Sequence, residues 1–242
     1  MTYQPLHRNL YQFSDAFLDP ELVQVLRSGS GPEAICQMPH PQIYTFPMLR
    51  AEICTALIEE VKAFEDWCEE QDLDKLRPNS MNNYGVVLDT FGFQNCLQQM
   101  MLEVVVPFAT RLFPDVGGGS LDRHHGFTVE YGVYKDLDLG FHVDASDVTL
   151  NVCLGHDFRG GELYFRGIRC ESCMQTRPRP EEEFEISQVP GRAILHRGKH
   201  RHGARAITDG ERHNLILWCN SSQYAASREP DRCPSWCQSS PV

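Results

Sequence analysis

The sequence predicts a mainly β fold: a double-stranded β-helix, or jelly roll, of about eight strands, preceded by N-terminal helices and supported by two longer ones. Three observations predict it. Apolar residues recur at helical spacing only in the first half of the chain. Gly117-Gly118-Gly119 ends that pattern. Beyond it, short apolar runs are punctuated by Gly, Pro, Asp or Asn, as in sandwiches and barrels. Eight strands in two facing sheets enclose a site between them.

In chain order, Asp19-Pro20-Glu21 reads as an N-cap, a proline at the first helical position and an acid in the first turn. The short helix it opens should stop at Gly29, and Ser28 to Pro32 is a turn. A proline-spaced stretch runs from Pro39 to Pro47. Leu49, Ile53, Leu57, Val61, Phe64 and Cys68 then mark a helix with an acidic outer face. A second long helix, from about Asn95 to Phe113, aligns Leu97, Met101, Val104, Phe108 and Leu112. Pro107 should kink it, since proline lacks a backbone donor. Its Met and Phe residues read as core packing.

The strand candidates are Phe127–Tyr134, Leu139–Asp144, Val148–Leu154, Glu162–Arg166, Phe184–Val189, Arg192–His196, Gly203–Ile207 and Arg212–Asn220. The break from Gly167 to Glu183, rich in Arg, Pro and Glu, reads as a surface insertion. The chain thus divides into an N-terminal extension with a short helix (1–45) and a single domain (46–242). Within that domain lie helical support (46–115), the jelly-roll core (120–220) and a cysteine-containing tail (221–242).

With 242 residues, 41% of them apolar, the chain can bury a large core. A net charge of −11 argues against general nucleic-acid binding. The charge is uneven: eight acids lie between Glu59 and Lys75, and six basic residues between Arg192 and Arg212. The basic stretch either draws an anionic ligand or partner, or is a solvated loop. No secretory signal or apolar membrane-length run is visible. The ten cysteines are irregularly spaced, which suits thiols in a reducing compartment. Together these favour a cytoplasmic or nuclear protein, with no membrane or nucleic-acid partner.

His142, Asp144, His202 and Arg212 carry the chemistry. Two imidazoles and one carboxylate make a three-sided ligand set that holds iron(II) and leaves positions open. Zinc favours a tetrahedron of N and S ligands instead. In an extended segment, side chains two residues apart face the same way, so His142 and Asp144 can reach one ion. A guanidinium is a planar, permanently charged fork for a carboxylate, and its place near a metal suggests a dicarboxylate bridging the two.

The third ligand is open on chemistry alone, since His196 with Arg205 makes a competing frame. His202 with Arg212 is preferred because Arg212 begins the apolar strand Leu215-Ile216-Leu217-Trp218, which can bury it. His196 and His200 remain candidates for supporting or substrate-side groups. His7, His40, His124, His125, His156 and His213 have no comparable carboxylate partner in the sequence and read as surface or turn residues. A C-x2-C at Cys170 and Cys173 and a C-x3-C at Cys233 and Cys237 have spacing compatible with a structural zinc site joining the insertion to the tail; free thiols are the alternative.

Phe141-His142-Val143-Asp144, Gly160-Gly161-Glu162-Leu163-Tyr164-Phe165, and His202-Gly203-Ala204-Arg205 through Arg212 resemble the 2-oxoglutarate and iron(II)-dependent oxygenases of the prolyl/lysyl hydroxylase branch. The resemblance covers roughly Asn79 to Cys219. It implies that His142, Asp144 and His202 bind iron(II) and that Arg212 binds the distal carboxylate of 2-oxoglutarate, these four forming the catalytic set. It gives Tyr131 a hydrogen bond to the co-substrate, with ordinary strand packing as the alternative.

The implied reaction consumes O2 and 2-oxoglutarate, yields succinate and CO2, and hydroxylates a prolyl or lysyl side chain of a protein or peptide, with ascorbate as an auxiliary. One departure stands out. Relatives often place a tyrosine on the strand after H-x-D, where this chain offers Thr149, Asn151 and Cys153. The rival readings are a non-catalytic metal- or metabolite-binding jelly roll and a cupin-type metal hydrolase or isomerase. The presence of all four key residues argues against the first, and the second would not need Arg212 to hold a dicarboxylate. Ala145–Asp147 and Gly167–Glu183 are placed to shape substrate choice.

Overall fold

Val148, Leu150, Val152 and Leu154 alternate along one strand with Thr149, Asn151 and Cys153, and all seven are buried. Such a strand must be covered on both faces. The computed structural model, which describes residues 2–155, 157–228 and 233–239, shows how. The strands are β1 (Gln37–His40), β2 (Ile43–Pro47), β3 (Arg123–Gly132), β4 (Leu139–His142), β5 (Val148–Gly155), β6 (Phe158–Gly160), β7 (Leu163–Ile168), β8 (Glu183–Ile186), β9 (Arg192–Arg197), β10 (His200–Ala204) and β11 (Ile207–Asn220). A major sheet runs β1-β2-β9-β5-β11-β3, with β6 paired to β11, and a minor sheet runs β4-β10-β7-β8. The ladders are antiparallel, and the two sheets form the expected jelly roll.

The major sheet sorts its side chains by the two-residue period. Val148, Leu150, Val152, Leu195, Leu215 and Leu217 join the helical core on one side. Phe127, Val129, Tyr131, Ile194 and Ile216 belong to a second core on the other, with Leu163 and Phe165 of the minor sheet. The polar residues Thr149, Asn151, Arg212 and Asn214 share that inner side and line a cleft there.

The helical layer comprises α1 (Pro20–Ser28), α2 (Ala51–Glu70), α3 (Gln94–Met100) and α4 (Val106–Leu112), with α5 (Ser222–Ser227) following the last strand. α1 opens as expected, Asp19 Oδ1 accepting from the Glu21 N–H at 2.8 Å, and it stops at Gly29 with φ of +69°. The break expected at Pro107 is a π-helical turn over Met101–Val105, between α3 and α4. A widened turn accommodates a residue that has no N–H and crowds the carbonyl four residues back.

The proline-spaced stretch is a hairpin: β1 is an edge strand, which tolerates Pro39, and Gln42 takes a positive φ of 63° at the turn. β2 pairs in register with β9, Thr45 opposite Ile194, so the boundary drawn at 45/46 falls inside a strand. The first residues are tied down too. The buried Glu60 carboxylate of α2 accepts from the Tyr3 and Tyr11 hydroxyls at 2.8 and 2.7 Å and from the His7 N–H at 2.5 Å. Among the described residues no helix is long and apolar enough to cross a membrane.

The insertion is held by a buried ion pair. Arg169 donates through both terminal nitrogens to Glu182, at 3.0 and 2.7 Å, and both side chains are almost inaccessible. Removing one partner leaves a desolvated charge, so Glu182→Ala should cost about 3–5 kcal/mol in urea unfolding. A loss under about 1 kcal/mol would mean that water reaches Arg169 once the acid is gone.

His200 gives a second test. Among the described residues neither ring nitrogen has a partner, Phe165 packs against the ring at 4.9 Å, and burial depresses its pKa well below 6.5. The unfolded chain therefore takes up a proton that the native chain refuses, and stability is lost as pH falls below about 6.5. His200→Leu should flatten the low-pH fall in stability, by up to about 1.4 kcal/mol per pH unit. Parallel slopes for variant and wild type between pH 7 and 5.5 would refute that origin.

Candidate metal and co-substrate site

The β4–β10 ladder sets His142 directly opposite His202, with ring centroids 4.3 Å apart. Asp144 lies beyond the end of β4. Its N–H donates to the Gly198 carbonyl at 2.9 Å, which pins the turn carrying its carboxylate. The carboxylate stands 3.5 Å from His142 Nε2 through Oδ1 and 3.7 Å from His202 Nε2 through Oδ2. The three donor groups lie within 4.8 Å of one another, so one ion could touch all three.

Their hydrogen bonds orient the donors. His142 Nδ1 lies 2.8 Å from the Gly140 carbonyl, and His202 Nδ1 lies 2.8 Å from the His200 carbonyl. A carbonyl only accepts, so each Nδ1 carries the proton and each Nε2 presents a lone pair inward, the tautomer a metal ligand needs. Thr149 donates to Asp144 Oδ2 at 2.6 Å. Burial would raise the Asp144 carboxyl, but His202, His142 and His196 together hold it below the usual carboxylate range. Burial pushes His202 down to about 3. A carboxylate and a neutral His202 imidazole, with His142 beside them, make a donor set that fits iron(II).

Arg212 enters the same cleft from β11, opposite Tyr131 of β3. Its guanidinium lies 4.5 Å from the Tyr131 ring, and its Nη1 donates to the Gly161 carbonyl. Its Nε is buried without a partner among the described residues. A permanently charged group that is 1% exposed and partly unpartnered calls for an anion. Gly161 permits the approach: its φ is +72°, and a Cβ there would stand 2.6 Å from Arg212 Nη1. Burial raises the Tyr131 phenol, which stays protonated, and its oxygen accepts from Asn82 Nδ2 at 3.2 Å.

The competing frame does not assemble. Arg205 is exposed, stacks on Tyr164 at 4.6 Å and pairs with Glu185. His196 is wholly buried on β9, its ring 4.8 Å from His202 and its Nδ1 2.8 Å from the Arg197 carbonyl. Among the other histidines, three do face a carboxylate: His7 meets Glu59 at 2.8 Å, His124 meets Asp89 at 3.4 Å, and His213 meets Glu130 at 3.7 Å. His124 and His213 are also sheltered rather than surface side chains. His156 lies outside the described residues.

On the wall after H-x-D, Thr149 and Asn151 line the cleft, whereas Cys153 does not. Two cleft residues escaped the sequence reading. Asn214 donates to Asn151 at 2.7 Å; standing two residues past Arg212 on one strand, it was accessible to the period-two argument. Asn82, which holds Tyr131, sits in a loop with no periodic signal. Cys170, Cys173, Cys233 and Cys237 also come together, in a separate cluster.

The OGFOD2-like domain family model matches residues 1–118, the segment before the cleft strands. The 2-oxoglutarate and iron-dependent oxygenase domain-containing protein ICU11 of Arabidopsis thaliana is 48% identical over 240 residues, covering 98% of this chain and 60% of that protein. The human 2-oxoglutarate and iron-dependent oxygenase domain-containing protein 2 is 38% identical over 247 residues, covering 95% of this chain and 68% of its own length. The chain thus spans roughly two thirds of its curated relatives. A Trichoplax adhaerens prolyl hydroxylase, solved with a hypoxia inducible factor peptide, shares the fold at a TM-score of 0.54 and 13% identity, covering 89% of this chain and all of that one. Relatedness of this extent places the chain in the family of 2-oxoglutarate and iron-dependent oxygenase domain-containing protein 2.

Proposed function

We propose that the chain is an iron(II)- and 2-oxoglutarate-dependent dioxygenase that hydroxylates a prolyl or lysyl side chain of a protein. One observation carries the reading: an inward-facing His-Asp-His donor set shares a narrow cleft with a buried, under-partnered arginine. A cupin-type hydrolase or isomerase would need the first but not the second.

His142, Asp144 and His202 would hold the iron, and Arg212 would take the distal carboxylate of 2-oxoglutarate. The iron supplies oxygen activation coupled to decarboxylation of 2-oxoglutarate to succinate and CO2. The chain supplies placement. The Arg212 fork would give up its contact to the Gly161 carbonyl for the stronger charge-assisted pair. Tyr131, kept protonated, can donate to the same carboxylate while Asn82 steadies its oxygen. Phe127, Val129, Leu163 and Ile216 give the cleft an apolar wall that limits water.

A peptide is the substrate class that we favour. The β3–β4 connection, which leads into the strand carrying His142, exposes Val133, Tyr134 and Leu137. Exposed apolar side chains suit contact with an extended peptide. The prolyl hydroxylase solved with a peptide supports the same class of substrate.

Anaerobic titration of the iron(II)-loaded chain with 2-oxoglutarate should produce the visible charge-transfer band of a chelated 2-oxo acid. His202→Ala should abolish it, and Arg205→Ala should leave it unchanged. No band in folded, iron-replete wild type would favour the non-catalytic binding module.

Arg212→Ala should weaken 2-oxoglutarate binding by about tenfold or more, the loss expected for charge-assisted hydrogen bonds worth about 1.5–3 kcal/mol. Arg212→Lys should recover part of it. Equal affinity in Arg212→Ala and wild type would remove Arg212 from the co-substrate site. The substrate is then sought by incubating proline- and lysine-bearing peptide libraries with iron, ascorbate and 2-oxoglutarate. Mass gain of one oxygen coupled to succinate is the expected outcome.

A further inference from the structure

We infer that Cys170, Cys173, Cys233 and Cys237 bind one structural zinc ion, which clamps the C-terminal segment onto the sheet that carries His202. The four sulfur atoms lie within 4.8 Å of one another. Cys170 Sγ is 3.6 Å from Cys233 Sγ, and Cys173 Sγ is 3.9 Å from the same atom. Zinc–sulfur bonds of about 2.3 Å in a regular tetrahedron put the sulfurs about 3.8 Å apart. A disulfide needs about 2.05 Å, and none of the ten cysteines is in one.

Local backbone structure presents the sulfurs. The Cys173 N–H donates to the Cys170 carbonyl at 3.1 Å, and the Cys237 N–H donates to the Pro234 carbonyl at 2.9 Å, so each pair sits on its own tight turn. The Cys170 N–H donates to Cys237 Sγ at 3.3 Å, a contact that suits a metal-bound thiolate and links the two turns. Ser239 Oγ lies 3.0 Å from the same sulfur. The remaining cysteines give the contrast. Cys54, Cys68, Cys96 and Cys219 are packed in the hydrophobic core, where a thiol serves as a small apolar group. Cys173 is half-buried and Cys233 is exposed, so core packing does not explain this cluster.

On binding, four thiols lose four protons to solvent and the zinc tetrathiolate carries a charge of −2. Lys199 and Arg228 line the cavity of about 500 Å³ that Cys170 and Cys233 also line, and they place positive charge beside it. An all-sulfur tetrahedron selects zinc or an iron–sulfur centre, not the ferrous site of the cleft, whose ligands are imidazole and carboxylate.

The clamp reaches the sheet directly. The Gln238 N–H donates to the Ile168 carbonyl at 3.1 Å, and the Ile168 N–H donates to Gln238 Oε1 at 2.8 Å. Ile168 pairs with His200 across β7 and β10, two residues from His202. Trp236, between Cys233 and Cys237, donates from its indole to the Tyr224 hydroxyl at 3.2 Å. Zinc loss should therefore loosen both the tail and the strand edge without removing any group from the cleft.

The test uses the full chain purified under reducing conditions from zinc-supplemented medium. The Asp144→Ala variant is included so that the cleft does not contribute metal. Elemental analysis should give one zinc per chain in that variant, released by a thiol-specific mercurial. Cobalt substitution should give the sulfur-to-cobalt charge-transfer and intense visible bands of a tetrahedral tetrathiolate. Cys173→Ser with Cys233→Ser, the more exposed pair, should lose the zinc and change the tryptophan emission. Three results would overturn the proposal: a chain without zinc whose four thiols all alkylate readily, paired disulfides, or thiolate-bound iron in place of zinc. None of these readouts depends on 2-oxoglutarate or on turnover.

Discussion

The register of β4 against β10 is the constraint on which the cleft depends. It puts His142 opposite His202, and a slip by one residue would turn every side chain of β10 to the other face. Several features oppose that slip. β10 is paired on both sides, by β4 and by β7, and β7 is in turn paired with β8. Its five residues are all buried, so any shift would exchange packed side chains as well as ladder bonds. Arg201, pointing away from His202, donates to the carbonyls of Arg166 and Thr176, both at 2.6 Å, and so ties the strand to the insertion as well. The two proposed histidine ligands thus stand on rigid strand geometry, which is what a site needs if its donors are to hold position before the metal arrives.

Arg212 works in the opposite sense. Burying a guanidinium whose Nε is unpartnered among the described residues, with a backbone carbonyl as an acceptor, lowers stability relative to an apolar residue of similar shape. Its stacking on Tyr131 and the room made by Gly161 offset only part of that cost. The arrangement is intelligible if an anion completes it. The buried Arg169–Glu182 pair meets the same electrostatic problem with an acid of its own. One arginine is satisfied within the chain and holds the insertion; the other keeps donor capacity for a ligand.

The legible parts of the sequence are those in which periodicity and chemistry coincide. Seven of the eight strand candidates have counterparts, because their alternation records burial on two faces; Gly203–Ile207 instead straddles the end of β10 and the start of β11. Arg212 was readable for the same reason: an arginine opening an apolar strand must either be buried or break the pattern. The missed strands lack that signal. β1 and β2 are hidden by Pro39 and Pro47, which an edge position and a strand end tolerate, and β6 is too short to show a period. The H-x-D motif predicts two positions on one strand, yet Asp144 has left the strand and depends on Gly198, far along the chain. Partners such as Asp89 for His124 are equally invisible, since no local pattern announces a contact set by the tertiary fold.

As proposed sites for iron and zinc, the two donor clusters would divide the labour of order. A site that must admit a co-substrate and oxygen needs open coordination positions and a cleft, so it cannot also be closed by its own ligands. A fully ligated tetrathiolate can close a loop, because it has no position left to react. Cys170 begins just past the end of β7, and Cys237 precedes the residue that bonds to that strand. Closing this junction fixes the far end of the strand whose other end approaches Gly161, the residue that accepts from Arg212. Rigidity imposed at one end of β7 by a saturated ion would therefore support, at the other, the arginine left with a hydrogen-bonding position to fill.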